Sequence, residues 1–147
     1  MPRARTRVAS SLVAVALLAP ALASCGGSGL AQINSSWVLQ SVTDHSLPDT
    51  LPNTDPQIVI TSGTSQTNSD GSYSFTFTGT SGGAAGAVGS DHGTWTITSS
   101  TFLFRSALPG VVPYIAALSP TSFRVDLPGQ LVQSSSQTVN MVFTESP

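Results

Sequence analysis

The segment Ser72-Tyr73-Ser74-Phe75-Thr76-Phe77-Thr78 alternates a small hydroxyl residue with an aromatic ring at every step. Successive side chains of a β-strand point to opposite faces, so this run sets three rings on one face and four hydroxyls on the other. The same period recurs in Thr94-Trp95-Thr96-Ile97-Thr98, in Phe123-Arg124-Val125-Asp126-Leu127 and in Val139-Asn140-Met141-Val142-Phe143. A chain written this way buries one face of each strand and wets the other. No segment offers the 3.6-residue spacing of an amphipathic helix. Serine and threonine supply 37 of the 123 residues from Cys25 onward, which makes the wet face hydroxyl-rich instead of charged.

Turn signals separate these runs. Three prolines fall within residues 44–56, Asp70-Gly71 is a hairpin pair, residues 79–93 are glycine-rich, and Pro109-Gly110 and Pro128-Gly129 are turn dipeptides. Eight strands are predicted between them, over residues 34–43, 57–67, 72–79, 92–98, 101–106, 111–118, 121–127 and 137–144. Short connections pair each strand with the next. Eight strands curled around one aromatic face close most simply as a small antiparallel up-and-down barrel, which also removes exposed edges. The expected fold is therefore all-β, with a β-sandwich of the same strands as the alternative.

Ahead of this domain, Arg3, Arg5 and Arg7 precede a mostly apolar run over residues 8–23. Charged, apolar and small-residue regions in that order are those of a secretory signal peptide. The run ends in Leu22-Ala23-Ser24-Cys25, which resembles the lipobox of bacterial lipoproteins, where the cysteine thiol receives a diacylglyceryl group and becomes the first residue after cleavage. This predicts a lipoprotein signal peptide over 1–24, a lipidated Cys25 leading a flexible Gly/Ser tether over 25–33, and a folded domain over 34–147. Each buried CH₂ contributes about 0.8 kcal/mol, so two or three acyl chains hold a protein durably on a membrane. The resemblance implies a bacterial cell-envelope protein. By the sorting pattern of enteric bacteria, Gly26 after the cysteine points to the outer membrane, facing the periplasm or the cell surface.

Within the domain, Ser36-Trp37-Val38-Leu39-Gln40-Ser41-Val42 is followed by Leu47-Pro48, by Ser62-Gly63 through Asp70-Gly71-Ser72-Tyr73, and by Gly93-Thr94-Trp95. In that order, over residues 34–127, these features resemble the small bacterial lipoproteins with a lipocalin-like domain. The resemblance implies a non-enzymatic protein holding a small hydrophobic ligand in its barrel, with Trp37, Tyr73, Phe75, Phe77 and Trp95 lining the void. Eight strands enclose an interior that is either filled by side chains or holds one small ligand. The alternative function is thus a structural or interaction lipoprotein, with a packed barrel and a hydroxyl-rich outer face that meets an envelope protein partner.

Other chemistries find little support. From Cys25 onward only Arg105 and Arg124 stand against seven acids, a side-chain charge of −5, and the chain has no lysine. Such a chain lacks the clustered cations that nucleic acid or anionic headgroups demand. One cysteine allows neither an intramolecular disulfide nor a cysteine zinc site. The two histidines occur as Asp44-His45 and Asp91-His92, both placed in expected turns, and no metal site is predicted from them. Gly79-Thr80-Ser81-Gly82-Gly83 matches G-x-S-x-G, but that nucleophile elbow needs a following helix, and none is expected. Asp44, Asp49, Asp55, Asp70, Asp91 and Glu145 fall in expected loops or at the terminus, while Asp126 is expected to pair with Arg124 on an outer face. No catalytic residue and no cofactor is predicted.

Overall fold

The computed structural model describes residues 34–147; the expected signal peptide, Cys25 and the tether lie outside them. Ten strands follow in chain order: β1 (Ser35–Val42), β2 (His45–Ser46), β3 (Asp49–Thr50), β4 (Ile58–Thr67), β5 (Ser72–Ser81), β6 (Ala84–Thr98), β7 (Thr101–Ser106), β8 (Tyr114–Ser119), β9 (Ser122–Pro128) and β10 (Thr138–Glu145). A single 3₁₀ turn, Gly129–Val132, precedes β10.

From β4 to β10 each strand pairs antiparallel with its successor, and β10 then pairs with β1. The sheet closes where β1 meets β4, with Trp37 opposite Ser65 and Ser35 opposite Thr67. The fold is an eight-stranded antiparallel up-and-down barrel, as expected, and this seam is what distinguishes it from a sandwich. The two-residue strands β2 and β3 lie in the β1–β4 connection and add to the sheet margin.

Alternation decides which residues face inward. Tyr73, Phe75 and Phe77 are buried while Ser74, Thr76 and Thr78 are exposed, and β9 and β10 bury Phe123, Val125 and Leu127 against Val139, Met141 and Phe143. Small residues on β4 make room for large neighbours. A Cβ at Gly63 would stand 2.9 Å from both Leu39 Cδ2 and Phe77 Cδ1. Trp37 closes the seam, its indole Nε1 donating to Thr67 Oγ1 at 3.2 Å.

The expected strand over 92–98 begins eight residues earlier, at Ala84. Gly82 and Gly83 hold φ of +57° and +87°, the left-handed pair that turns a tight hairpin, so Ser81 pairs with Ala84 and the ladder runs on. The glycine-rich stretch read as a loop is therefore two strands and their turn. Pairing with β5 overrides the weak strand preference of Ala and Gly. The strand expected from residue 111 starts at Tyr114.

The barrel has two unlike ends. Next to Asn34 it is finished by the short turns after β4, β6 and β8, with Ser35 Oγ donating to Glu145 Oε1 at 2.7 Å. The opposite end is roofed by the β1–β4 and β9–β10 connections. Leu51, Leu131 and Val132 are buried there, and Ser134 Oγ donates to the Pro52 carbonyl at 3.0 Å.

Candidate functional site

The five residues expected to line a ligand void converge inside the barrel. Trp37, Tyr73, Phe75, Phe77 and Trp95 are at most 7% exposed. Phe75 lies 5.5 Å from Tyr73 and 6.2 Å from Phe77 between ring centroids, and Trp37 and Trp95 stand edge-on to Phe102 at 6.4 and 5.2 Å. Phe123 and Phe143 stack at 4.9 Å behind them. All ten aromatic residues of the chain belong to this buried cluster, at separations where ring pairs attract one another.

The polar chemistry of the interior gathers at Asp91, which is 1% exposed. Its expected place was a surface turn; it lies instead in mid-β6, on the inward phase set by Trp95 four residues later. Tyr73 and Tyr114 donate to Oδ2 at 2.6 and 2.5 Å, and Ser106 donates to Oδ1 at 2.5 Å. The two phenol oxygens lie 3.2 Å apart. Burial, and then the neighbouring carboxylate, pushes both tyrosine hydroxyls well above the ordinary tyrosine range. A carboxyl group taken out of water is costly unless hydrogen-bonded, and three hydroxyls supply those bonds here. The one signal for this cluster in the sequence was the period itself: counting in twos back from Trp95 places Asp91 on the buried face.

The remaining candidates disperse. His92 points outward on β6, away from Asp91, and Asp44 lies in the turn after β1 with a φ of +65°. His45 faces Asp49 and not Asp44, at 3.4 Å between Nδ1 and Oδ1. Among the described residues no three His, Cys, Asp or Glu side chains gather at a point that could hold a metal ion. Arg124 does not pair with Asp126 as expected; its guanidinium lies 3.1 Å from Asp44, and Asp126 accepts from Asn140 Nδ2 at 2.8 Å. Both partners come from outside the local i, i+2 spacing, Asn140 from the neighbouring strand β10 and Asp44 from the turn after β1. Ser81 ends β5 and is followed by the hairpin and β6, so the G-x-S-x-G segment has no strand-to-helix elbow.

On the outer face, a depression of about 300 Å³ runs across β1, β4 and β5, lined by Ser36, Val38, Thr64, Gln66 and Ser74. Ser36 Oγ donates to Gln66 Oε1 there at 2.5 Å, so its polar groups are partly satisfied within the sheet. Among the described residues no helix is long and apolar enough to cross a membrane. No protein-family model, curated protein or solved structure matches this chain.

Proposed function

We propose that this chain is a lipid-anchored, non-enzymatic lipoprotein of the bacterial cell envelope whose barrel is a packed scaffold for contact with an envelope protein partner. The observation that carries the reading is the filled interior. Rings from Trp37, Phe75, Phe77, Phe102, Phe123 and Phe143 pack against one another across it, at centroid separations from 4.9 to 6.4 Å. The roof formed by Leu51, Leu131 and Val132 covers the end opposite Asn34. Closely packed interiors are stiff, and a stiff barrel suits a module that presents a surface better than one that takes up a guest.

Anchorage rests on Leu22-Ala23-Ser24-Cys25 behind its charged and apolar regions, and the outer membrane on Gly26. The lipocalin-like resemblance fits the barrel, with the ligand-carrying role of such proteins replaced by a scaffold. Two measurements test the reading. In a bacterial host, Cys25→Ser should leave an unacylated precursor, because the chain has no other thiol; a mature-length acylated species from that variant overturns the anchor. Native mass spectrometry of the acylated protein extracted into detergent should give the mass of chain plus acyl groups alone. A co-purified apolar molecule released on unfolding would replace the scaffold with ligand carriage.

A further inference from the structure

The β5–β6 hairpin runs past its neighbour on one side. β5 accompanies β6 back to Ala84, whereas β7 accompanies it only from Gly93 to Thr98. Between these limits the 3₁₀ turn covers part of the second edge of β6. Gln133 Nε2 donates to the Val88 carbonyl at 3.4 Å, and Leu131 lies over the face of the sheet beside it, where a Cβ at Gly89 would meet its carbonyl at 2.3 Å. Beyond that cover, Ala84, Ala85, Gly86 and Ala87 are all exposed, and among the described residues no backbone group meets their outer edge.

The turn geometry says which groups point outward. In a two-residue hairpin of this type the pair closing the turn, Ser81 and Ala84, is hydrogen-bonded, and the pattern alternates from there. Ala85 and Ala87 therefore direct their N–H and C=O groups away from β5. Proteins usually blunt such an edge with lysine, proline or charge, and residues 84–87 carry none of these. Their small side chains also let another backbone come close from either face.

We propose that residues 84–87 form a β-augmentation site that receives an extended, positively charged segment of a protein partner. Charge selects this occupant. The described residues hold two arginines against seven acids, and Arg124 is already paired with Asp44. Exposed Asp55 adjoins the hairpin tip from its β4 side, because Gly82 N–H donates to the Gln57 carbonyl at 2.9 Å and Pro56 sits against Gly82. A second copy of the chain would instead bring two net-negative domains together. Four paired residues also bury far less than the roughly 1,200 Å² that a stable dimer needs. The site gives the interaction reading above its partner class and rests on that reading, but not on the lipid at Cys25.

Amide NMR of the full chain in detergent micelles, titrated with a blocked heptapeptide of alternating lysine and valine, tests the site. Shifts and exchange protection should centre on Ala85 and Ala87 and weaken with salt. A glutamate-for-lysine peptide should bind about ten-fold more weakly, and one N-methylated at alternate residues should not bind. Ala85→Pro removes an N–H that β5 does not use and should abolish the effect; Ala85→Lys leaves the backbone intact and should weaken binding about ten-fold. Equal binding of the N-methylated peptide, or shifts centred elsewhere, overturns the proposal. So does the same perturbation from raising protein concentration alone, which would mean a second copy. Acylation at Cys25 is read separately by mass, so anchor and edge can fail independently.

Discussion

Tyr114 on β8 donates to Oδ2 of Asp91 on β6 across 2.5 Å, reaching over β7, which lies between those strands in the sheet. Tyr73 on β5 shares the same oxygen, and Ser106 on β7 takes the other. The Leu108 amide then donates to Ser106 Oγ at 3.0 Å, so one buried carboxylate ties four successive strands and the start of the β7–β8 loop. Among the described residues no cationic side chain pairs with it. The carboxyl group is held by hydroxyl partners alone, and each of these hydrogen bonds matters more than an exposed one would.

Tyr114→Phe and Tyr73→Phe should each lower stability by about 1–3 kcal/mol, the cost of leaving a buried acceptor short of a donor. Because both hydroxyls serve one oxygen, their effects should couple by more than about 0.5 kcal/mol in a double-mutant cycle. Urea denaturation of the single and double variants measures this. Strict additivity would mean that the two tyrosines act independently.

Alkaline pH should unfold the domain through the same pair. Both hydroxyls sit above the ordinary tyrosine value of 10.0, first through burial and then through Asp91. The unfolded chain therefore releases these protons first. The stability they contribute is present in full below pH 10 and is lost as pH rises above it. The chain has no lysine and no other tyrosine to confuse the profile. Denaturation midpoints followed from about pH 8 to 12 should fall beyond about pH 10. The Tyr73→Phe, Tyr114→Phe double variant should flatten that fall.

Trp95→Ala should cost about 3–5 kcal/mol, the usual loss for a large aromatic truncated in a core, and Thr94→Ala under about 0.5 kcal/mol. Trp95 is 7% exposed, stands edge-on to Phe102 at 5.2 Å and donates its indole N–H to the Asn68 carbonyl, whereas Thr94 faces solvent. Equal losses in chemical denaturation would refute the phase of β6.

Ser65→Ala should stabilise the barrel by about 1 kcal/mol, because a buried hydroxyl without a partner carries its desolvation cost uncompensated. Ser65 is 3% exposed on the inward face of β4, and its Oγ has no partner among the described residues. A raised melting temperature confirms this; a loss of about 1 kcal/mol or more would mean the hydroxyl is satisfied.

Much of this barrel was legible in the order of residues. Period two fixes which side of each strand is buried before any partner is known, so Tyr73, Phe75 and Phe77, or Val139, Met141 and Phe143, declare a common face on local grounds. Proline, glycine and the Asp70-Gly71 pair mark where the chain must turn, and the strand at Thr101–Ser106 falls where it was expected. Tertiary structure decided what depends on residues far apart in the chain. Closure needed β1 to find β4, Ser35 meeting Thr67 across the seam. The early start of β6 needed β5 beside it, because alanine and glycine carry no strand signal of their own. Asp91 took its role from Tyr73 and Tyr114, 18 and 23 residues away, which only the curvature of the sheet brings to one point. Local sequence sets the phase of a strand, while a buried carboxyl group and a closed seam are settled by neighbours that the chain meets only after it has folded.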